Sequence, residues 1–290
     1  MRLAVRARST GLSASDVDRA LTEDRSVVVA WLNRGTLHLV PATDYWWLRD
    51  LFTARMATGN RRRLAQEGVT PTQAERGVDV VVTALASEGP LTRDQLEARL
   101  DDAGVPTAGQ ALVHVILAAS IAHPIARGPV VGGRHAFVDA TSWLDQPPPM
   151  DRNEALVLLA GRYLRGHSPA DDRDLATWSG LPLADVRAGL AQVTDHTSQT
   201  TKLPAPKLLG PFDPVLHGWA SRQWIVGDDE NGVVTSNGIF RATAVVEGKV
   251  VATWKMAGDE LTVEPRQPLD DETLAALHAD GEDVRRYLAS

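Results

Sequence analysis

Apolar positions recur along this chain at two spacings, helical and alternating, and the switches between them mark its elements. Within residues 73–87, Val78, Val81, Val82 and Leu85 fall on one helical face. Gly89-Pro90-Leu91-Thr92 then opens a second helix, with Thr92 placed to cap residues 93–100 before Gly104. Residues 109–120 read as a third helix. Val130 and Val131, the Gly132-Gly133 pair and His135-Ala136-Phe137-Val138 make a hairpin. Residues 153–165 begin a similar series, amphipathic through Leu156, Leu159, Ala160 and Tyr163. Ser168-Pro169-Ala170-Asp171 starts a short helix to Trp178, and Ser179-Gly180-Leu181-Pro182 turns into residues 183–192. Nearer the start, Ser13-Ala14-Ser15 precedes a helix over 16–21, strands over 26–33 and 36–40, and a helix over 45–56.

Helix, turn, helix and two-stranded wing is the winged helix-turn-helix order, and the pattern predicts it three times. The last segment differs. Trp224-Ile225-Val226, Gly232-Val233-Val234 and residues 239–246, 249–256 and 260–263 are short β-rich runs. Turns at Asn231-Gly232, Asn237-Gly238, Glu247-Gly248 and Gly258-Asp259 split them, a spacing that predicts a small barrel. A helix over 270–288 follows, acidic at its start and with Arg285-Arg286 near its end, matching the helix dipole. Breaks are expected at Pro147-Pro148-Pro149, over 193–201 and around Val69-Thr70-Pro71. The expected fold class is therefore α+β: three tandem winged helices, at 1–70, 71–149 and 150–203, then a β-barrel with a terminal helix at 204–290.

Charge adds an asymmetry. The net charge is −7, yet residues 1–70 hold eleven Arg against seven acids, whereas 71–150 hold five against nine. A basic first module on an acidic body is what one polyanion-facing surface requires. Nearly all the positive charge is arginine, which suits bidentate phosphate contacts. The absence of cysteine excludes disulfides and thiolate metal sites. No apolar run approaches the roughly 18 residues of a membrane span, and Met1-Arg2-Leu3-Ala4-Val5-Arg6 is too broken by arginine for a signal peptide. A cytoplasmic protein with no membrane association is expected.

The stretch with most chemistry is Arg34-Gly35-Thr36-Leu37-His38-Leu39-Val40. Alternation there turns Leu37 and Leu39 inward and places Thr36 and His38 on the other face. By spacing alone His38 is either a packed strand residue with one satisfied ring nitrogen or a ligand contact. Arg34 holds a phosphate or caps the hairpin, and Asp44 is placed to cap the helix after it. Arg61-Arg62-Arg63, flanked by Arg55 and Asn60, is either a phosphate-contacting helix end or a solvated face. Trp46 and Trp47 are adjacent, so one narrow stripe does not bury both; one packs in the core or wedges into a duplex. Asp171, Asp172 and Asp174 read as a helix start rather than a metal site. Asp228-Asp229-Glu230-Asn231 reads as a turn, as does Asp213 in Pro211-Phe212-Asp213-Pro214. Trp178, Phe212 and Trp254 are expected in the core or at module interfaces. No Walker motif, nucleophile elbow or His-Glu-x-x-His occurs.

In this order the chain resembles the bacterial winged-helix DNA-binding family that contains the AlkZ-like DNA glycosylases. The resemblance lies in the Arg34–Val40 stretch with Asp44, Gly89-Pro90-Leu91-Thr92, and Asp174-Leu175-Ala176-Thr177-Trp178-Ser179-Gly180-Leu181. It continues in Leu208-Leu209-Gly210-Pro211-Phe212-Asp213-Pro214 and Glu247-Gly248-Lys249-Val250-Val251-Ala252-Thr253-Trp254, and so covers almost the whole chain. It implies tandem winged helices and a β-barrel around a concave face on double-stranded DNA. It also implies hydrolysis of the N-glycosidic bond of alkylated purines, crosslinks included, by a monomer with no metal or organic cofactor. In the family a Gln-x-Gln or Gln-x-Asp motif positions the water, just upstream of a segment like Leu3-Ala4-Val5-Arg6-Ala7-Arg8.

Here no Gln or Asp precedes Asp16, so the catalytic motif is absent from this chain and the first module is incomplete relative to the family. The resemblance makes His38, Arg34 and Thr36 pocket-lining residues, and Arg6, Arg8, Arg55, Arg61, Arg62, Arg63 and Trp46 DNA contacts. A non-catalytic DNA-binding regulator or repair accessory is the alternative, and a protein-interaction module the third reading.

Overall fold

The computed structural model describes residues 1–194 and 204–289. They fall into two compact units: a central one of Asp18–Leu158 with Ser179–Leu181, and a terminal one of Met1–Val17, Leu159–Trp178 and Pro182–Ser290.

After α1 (Arg2–Arg6) comes α2 (Ala14–Thr22), begun by a reciprocal Ser13–Asp16 cap in which each side chain accepts from the other's backbone N–H. In the central unit, β1 (Val27–Leu32) and β2 (Thr36–Pro41) pair antiparallel around the Asn33-Arg34-Gly35 turn. α3 (Tyr45–Gln66) runs past the expected end at Met56, because Leu64 continues its buried face. α3 and α4 (Pro71–Glu88) are separated by residues 67–70, so the chain breaks around Val69-Thr70-Pro71. Thr70 and Gln73 form a capping box, Pro71 occupies the first helical position where its lost N–H costs nothing, and Val69 is buried.

The two-residue β3 (Leu91–Thr92) leads through a second capping box, Thr92–Gln95, into α5 (Arg93–Asp102). Then follow α6 (Ala111–Ala122), β4 (Ile125–Val131), β5 (Arg134–Asp139) and the one-turn α7 (Ala140–Trp143). Gly132 and Gly133, both at positive φ, make the tight turn between β4 and β5. The two hairpins join into one sheet of order β2-β1-β4-β5-β3, with Val29 opposite Arg127. α3 and α4 pack on α6, which is apolar all round and buries Leu112, Val115, Ile116 and Leu117.

α8 (Arg152–His167), α9 (Asp172–Ser179) and α10 (Leu183–Leu190) follow the three prolines. Asp171 Oδ1 accepts from the N–H groups of Arg173 and Asp174 at 2.8 and 2.9 Å, the helix start expected there. Residues 150–194 carry no strand, so the third wing is not present among the described residues; most of the break expected at 193–201 lies outside them.

The terminal unit holds a four-stranded antiparallel sheet, β6 (Lys207–Leu209), β7 (Thr243–Val246), β8 (Lys249–Ala257) and β9 (Glu260–Pro265), ordered β6-β7-β8-β9. This sheet is open and does not close into the expected barrel. Trp224-Ile225-Val226 forms the one-turn helix α11 (Gln223–Val226), not a strand, and Val233-Val234 lie at a 3-10 turn with one bridge from Val234 to Phe240. Apolar triplets carry no period, and here Ile225 and Val226 fill a small core with Leu216 and Phe240. α12 (Asp271–Ala289) covers the sheet through Leu277 and Val284, in a cluster with Leu208, Ala252 and Trp254.

Candidate nucleic-acid interface

The β1–β2 hairpin carries the expected pocket residues. Asn33 and Gly35 adopt positive φ, and the Gly35 N–H donates to the Leu32 carbonyl at 2.9 Å, so the turn projects Arg34 into solvent. Thr36 Oγ1 and His38 Nε2 share a hydrogen bond of 2.8 Å, as residues two apart on one strand face can. His38 pairs across the strand with Ala30. β2 is the edge of the sheet, so Leu37, expected inward, is 43% exposed.

Arg34 has a seat that spacing could not reveal. A Cβ at Gly180 would lie 2.7 Å from Arg34 Cγ, so the arginine stem passes against bare glycine backbone. Gly180 sits at φ +74° between buried Ser179 and Leu181. Two of the quoted motifs, remote in sequence, therefore meet at this point in the central unit.

Along α3, Arg55, Arg61, Arg62 and Arg63 are exposed, while Asn60 turns inward. Asn60 Nδ2 donates to the His114 carbonyl at 2.9 Å, and Asn60 Oδ1 bonds His114 Nδ1 at 2.8 Å. Burial, with Arg63 adding repulsion, holds the His114 imidazole below its ordinary pKa. This Asn–His clamp fixes the helix whose outer face carries the arginines; an Asn inside a basic run was its only sequence signal.

The other expected contacts find partners within the chain, and Trp46 and Arg6 are buried. Trp46 and Trp47 are both buried, since the start of α3 is enclosed on more than one side. Trp46 Nε1 donates to the Asp145 carbonyl at 2.9 Å and Trp47 Nε1 to Asp44 Oδ1 at 3.1 Å. Asp44 takes that indole and makes no capping bond with its side chain. Arg6 is 2% exposed and gives its donors to Asp280, Asp283 and the Leu208 carbonyl. Arg8 grips Asp213 through both terminal nitrogens, at 2.9 and 2.6 Å, and buried Asp213 also accepts from Val215 N–H in its turn. These two arginines hold the terminal unit together. Phe212, expected in the core or at a module interface, is 53% exposed with φ +57° and so is not a core residue, whereas Trp254 is buried.

A solvent-facing arginine turn beside a Thr–His pair, with a basic helix face on the same unit, suits a polyanionic ligand. Comparison with known proteins agrees. Residues 1–287 match the family described as DNA glycosylase AlkZ-like, and the chain belongs to that family. It is 26% identical, over 283 aligned residues spanning 83% of this chain and 74% of the relative, to an interstrand DNA cross-link repair glycosylase of Streptomyces sahachiroi. The solved structure of Streptomyces sahachiroi DNA glycosylase AlkZ superposes with a TM-score of 0.78 at 21% identity, covering 98% of this chain and 86% of that one, which supports the fold.

Proposed function

We propose that this chain is a tandem winged-helix protein of DNA repair that binds double-stranded DNA and acts on the N-glycosidic bond of alkylated or crosslinked purines. The carrying observation is the Arg34–His38 hairpin, seated on Gly180, within a chain that belongs to the AlkZ-like family. In this reading the modules at 1–70, 71–149, 150–203 and 204–290 keep their order, and α4-β3-α5-α6-β4-β5 is the most complete winged helix. Arg34 holds a backbone phosphate, while the Thr36–His38 pair faces an extruded base. Arg55 and Arg61–Arg63 supply further phosphate contacts. The protein works as a cytoplasmic monomer.

The solvent-facing hairpin arginine and the basic face of α3 also suit a second reading, a DNA-binding accessory without hydrolysis. One assay separates the two: release of alkylated base from damaged duplex by the 290-residue polypeptide, against a boiled control. Release supports hydrolysis and requires a water-positioning residue elsewhere, whereas binding without release supports the accessory role. For binding itself, affinity should fall steeply with salt. Changing Arg61, Arg62 and Arg63 to Ala should flatten the log–log slope by about 1 to 3. Salt-insensitive binding, or none at low salt, would count against both readings.

A further inference from the structure

Arg127 is a charged side chain in an apolar setting, and among the described residues it has no counter-charge. It stands on β4 opposite Phe137 of β5 and Val29 of β1, and so shares a sheet face with them and with Trp31, two residues along β1. The guanidinium carbon lies 4.7 Å from the Phe137 ring centroid and 5.2 Å from that of Trp31. Its Nε is buried with no hydrogen-bond partner among the described residues. Burial lowers its pKa, and the charge that acts on it is another arginine, the exposed Arg93.

The chain supplies its own contrast. Arg6, an arginine buried in the terminal unit, is met by two carboxylates and two backbone carbonyls. Half-burying a guanidinium against rings regains part of its lost hydration through cation–π attraction, but an unpaired charge remains costly to the fold. Beside Arg127, β4 bulges through Gly128-Pro129, a distortion that re-aims side chains, and Trp143 fills the space a Gly128 Cβ would need. Moreover α6, which follows α5 where a recognition helix would stand, is enclosed by α3 and α4. This segment has its wing, not that helix, left for DNA.

We propose that Arg127, with Arg93 at the first residue of α5, is a seat for a DNA backbone phosphate, the counter-charge arriving with the duplex. The site rests on the DNA-binding reading above. The two rings hold the guanidinium plane, so little side-chain freedom is lost on binding, and the fork can place two parallel N–H bonds on the phosphate oxygens.

Arg127→Met keeps the apolar stem and removes the charge. It should melt at the same temperature or higher, bind duplex several-fold more weakly, and lower the slope of log affinity against log salt by about 1. Arg127→Lys should keep the slope. A methionine variant with the wild-type slope removes this site while leaving the DNA-binding reading intact. A wild-type chain that binds no duplex sinks both. A methionine variant that fails to fold, or melts lower with an unchanged slope, makes the guanidinium a packing element and overturns the proposal.

Discussion

Gly180→Ala tests whether the hairpin arginine is held by the backbone it rests on. The new methyl would sit 2.7 Å from Arg34 Cγ and 3.5 Å from Cδ, so the stem must retreat by roughly 0.7 Å to reach ordinary contact. Independently, φ of +74° costs an L-residue about 1 kcal/mol, because Cβ approaches its own carbonyl. Buried Ser179 and Leu181 pin the backbone on either side and prevent relief by rotation. Displacing an exposed arginine stem adds up to about 1 kcal/mol, giving about 1–2 kcal/mol in all, or a melting point lower by about 2–8 °C. The two parts separate in a double-mutant cycle. In an Arg34→Ala background the steric part vanishes, and Gly180→Ala should cost only the conformational part. The readouts are thermal melting and duplex-DNA anisotropy, the latter falling for Gly180→Ala as it does for Arg34→Ala. Equal cost in both backgrounds, with DNA affinity untouched by Gly180→Ala, would refute the claim that Gly180 seats Arg34.

Arg6→Met should destabilise the terminal unit by about 3–5 kcal/mol, since it leaves Asp280 buried with only Lys207 and the Leu208 N–H; urea unfolding measures it. Stability should also decline between pH 7.5 and 5.5. His114 and His167 are both held below the ordinary histidine value by burial, so the unfolded chain binds protons first. That loss begins near the ordinary value of about 6.5 and levels off below the folded-state pKa values. His114→Gln should flatten part of the decline, and melting curves that rise or stay level over this range would contradict the assignment.

Local signals in the sequence were strong enough to place most elements. The period-3.6 faces of α4, α8 and α12, the Thr92 cap and the glycine pair between β4 and β5 are all decided by neighbours within a few residues. What local pattern could not supply was pairing at distance. The join of the hairpins rests on the β1–β4 bridge at Val29 and Arg127, almost a hundred positions apart, and nothing in either strand announces it. The partners of Arg6 and Arg8 lie more than two hundred residues downstream, so both arginines read as solvent-facing cations. At the site, the exposed arginines of α3 and the Thr36–His38 pair were legible because strand alternation and charge runs are local. The Gly180 seat and the Arg127 face were not, since each exists only where remote segments meet.

The pairing of Arg6 with Asp280 and Asp283 also sets an order on synthesis. The central unit needs only residues made by position 181 and can close while the chain is still growing. α1 must wait for α12, whose Asp280 and Asp283 hold Arg6 and whose Tyr287 Oη donates to the Arg2 carbonyl. A helix made well before its partners is thus among the last elements to dock.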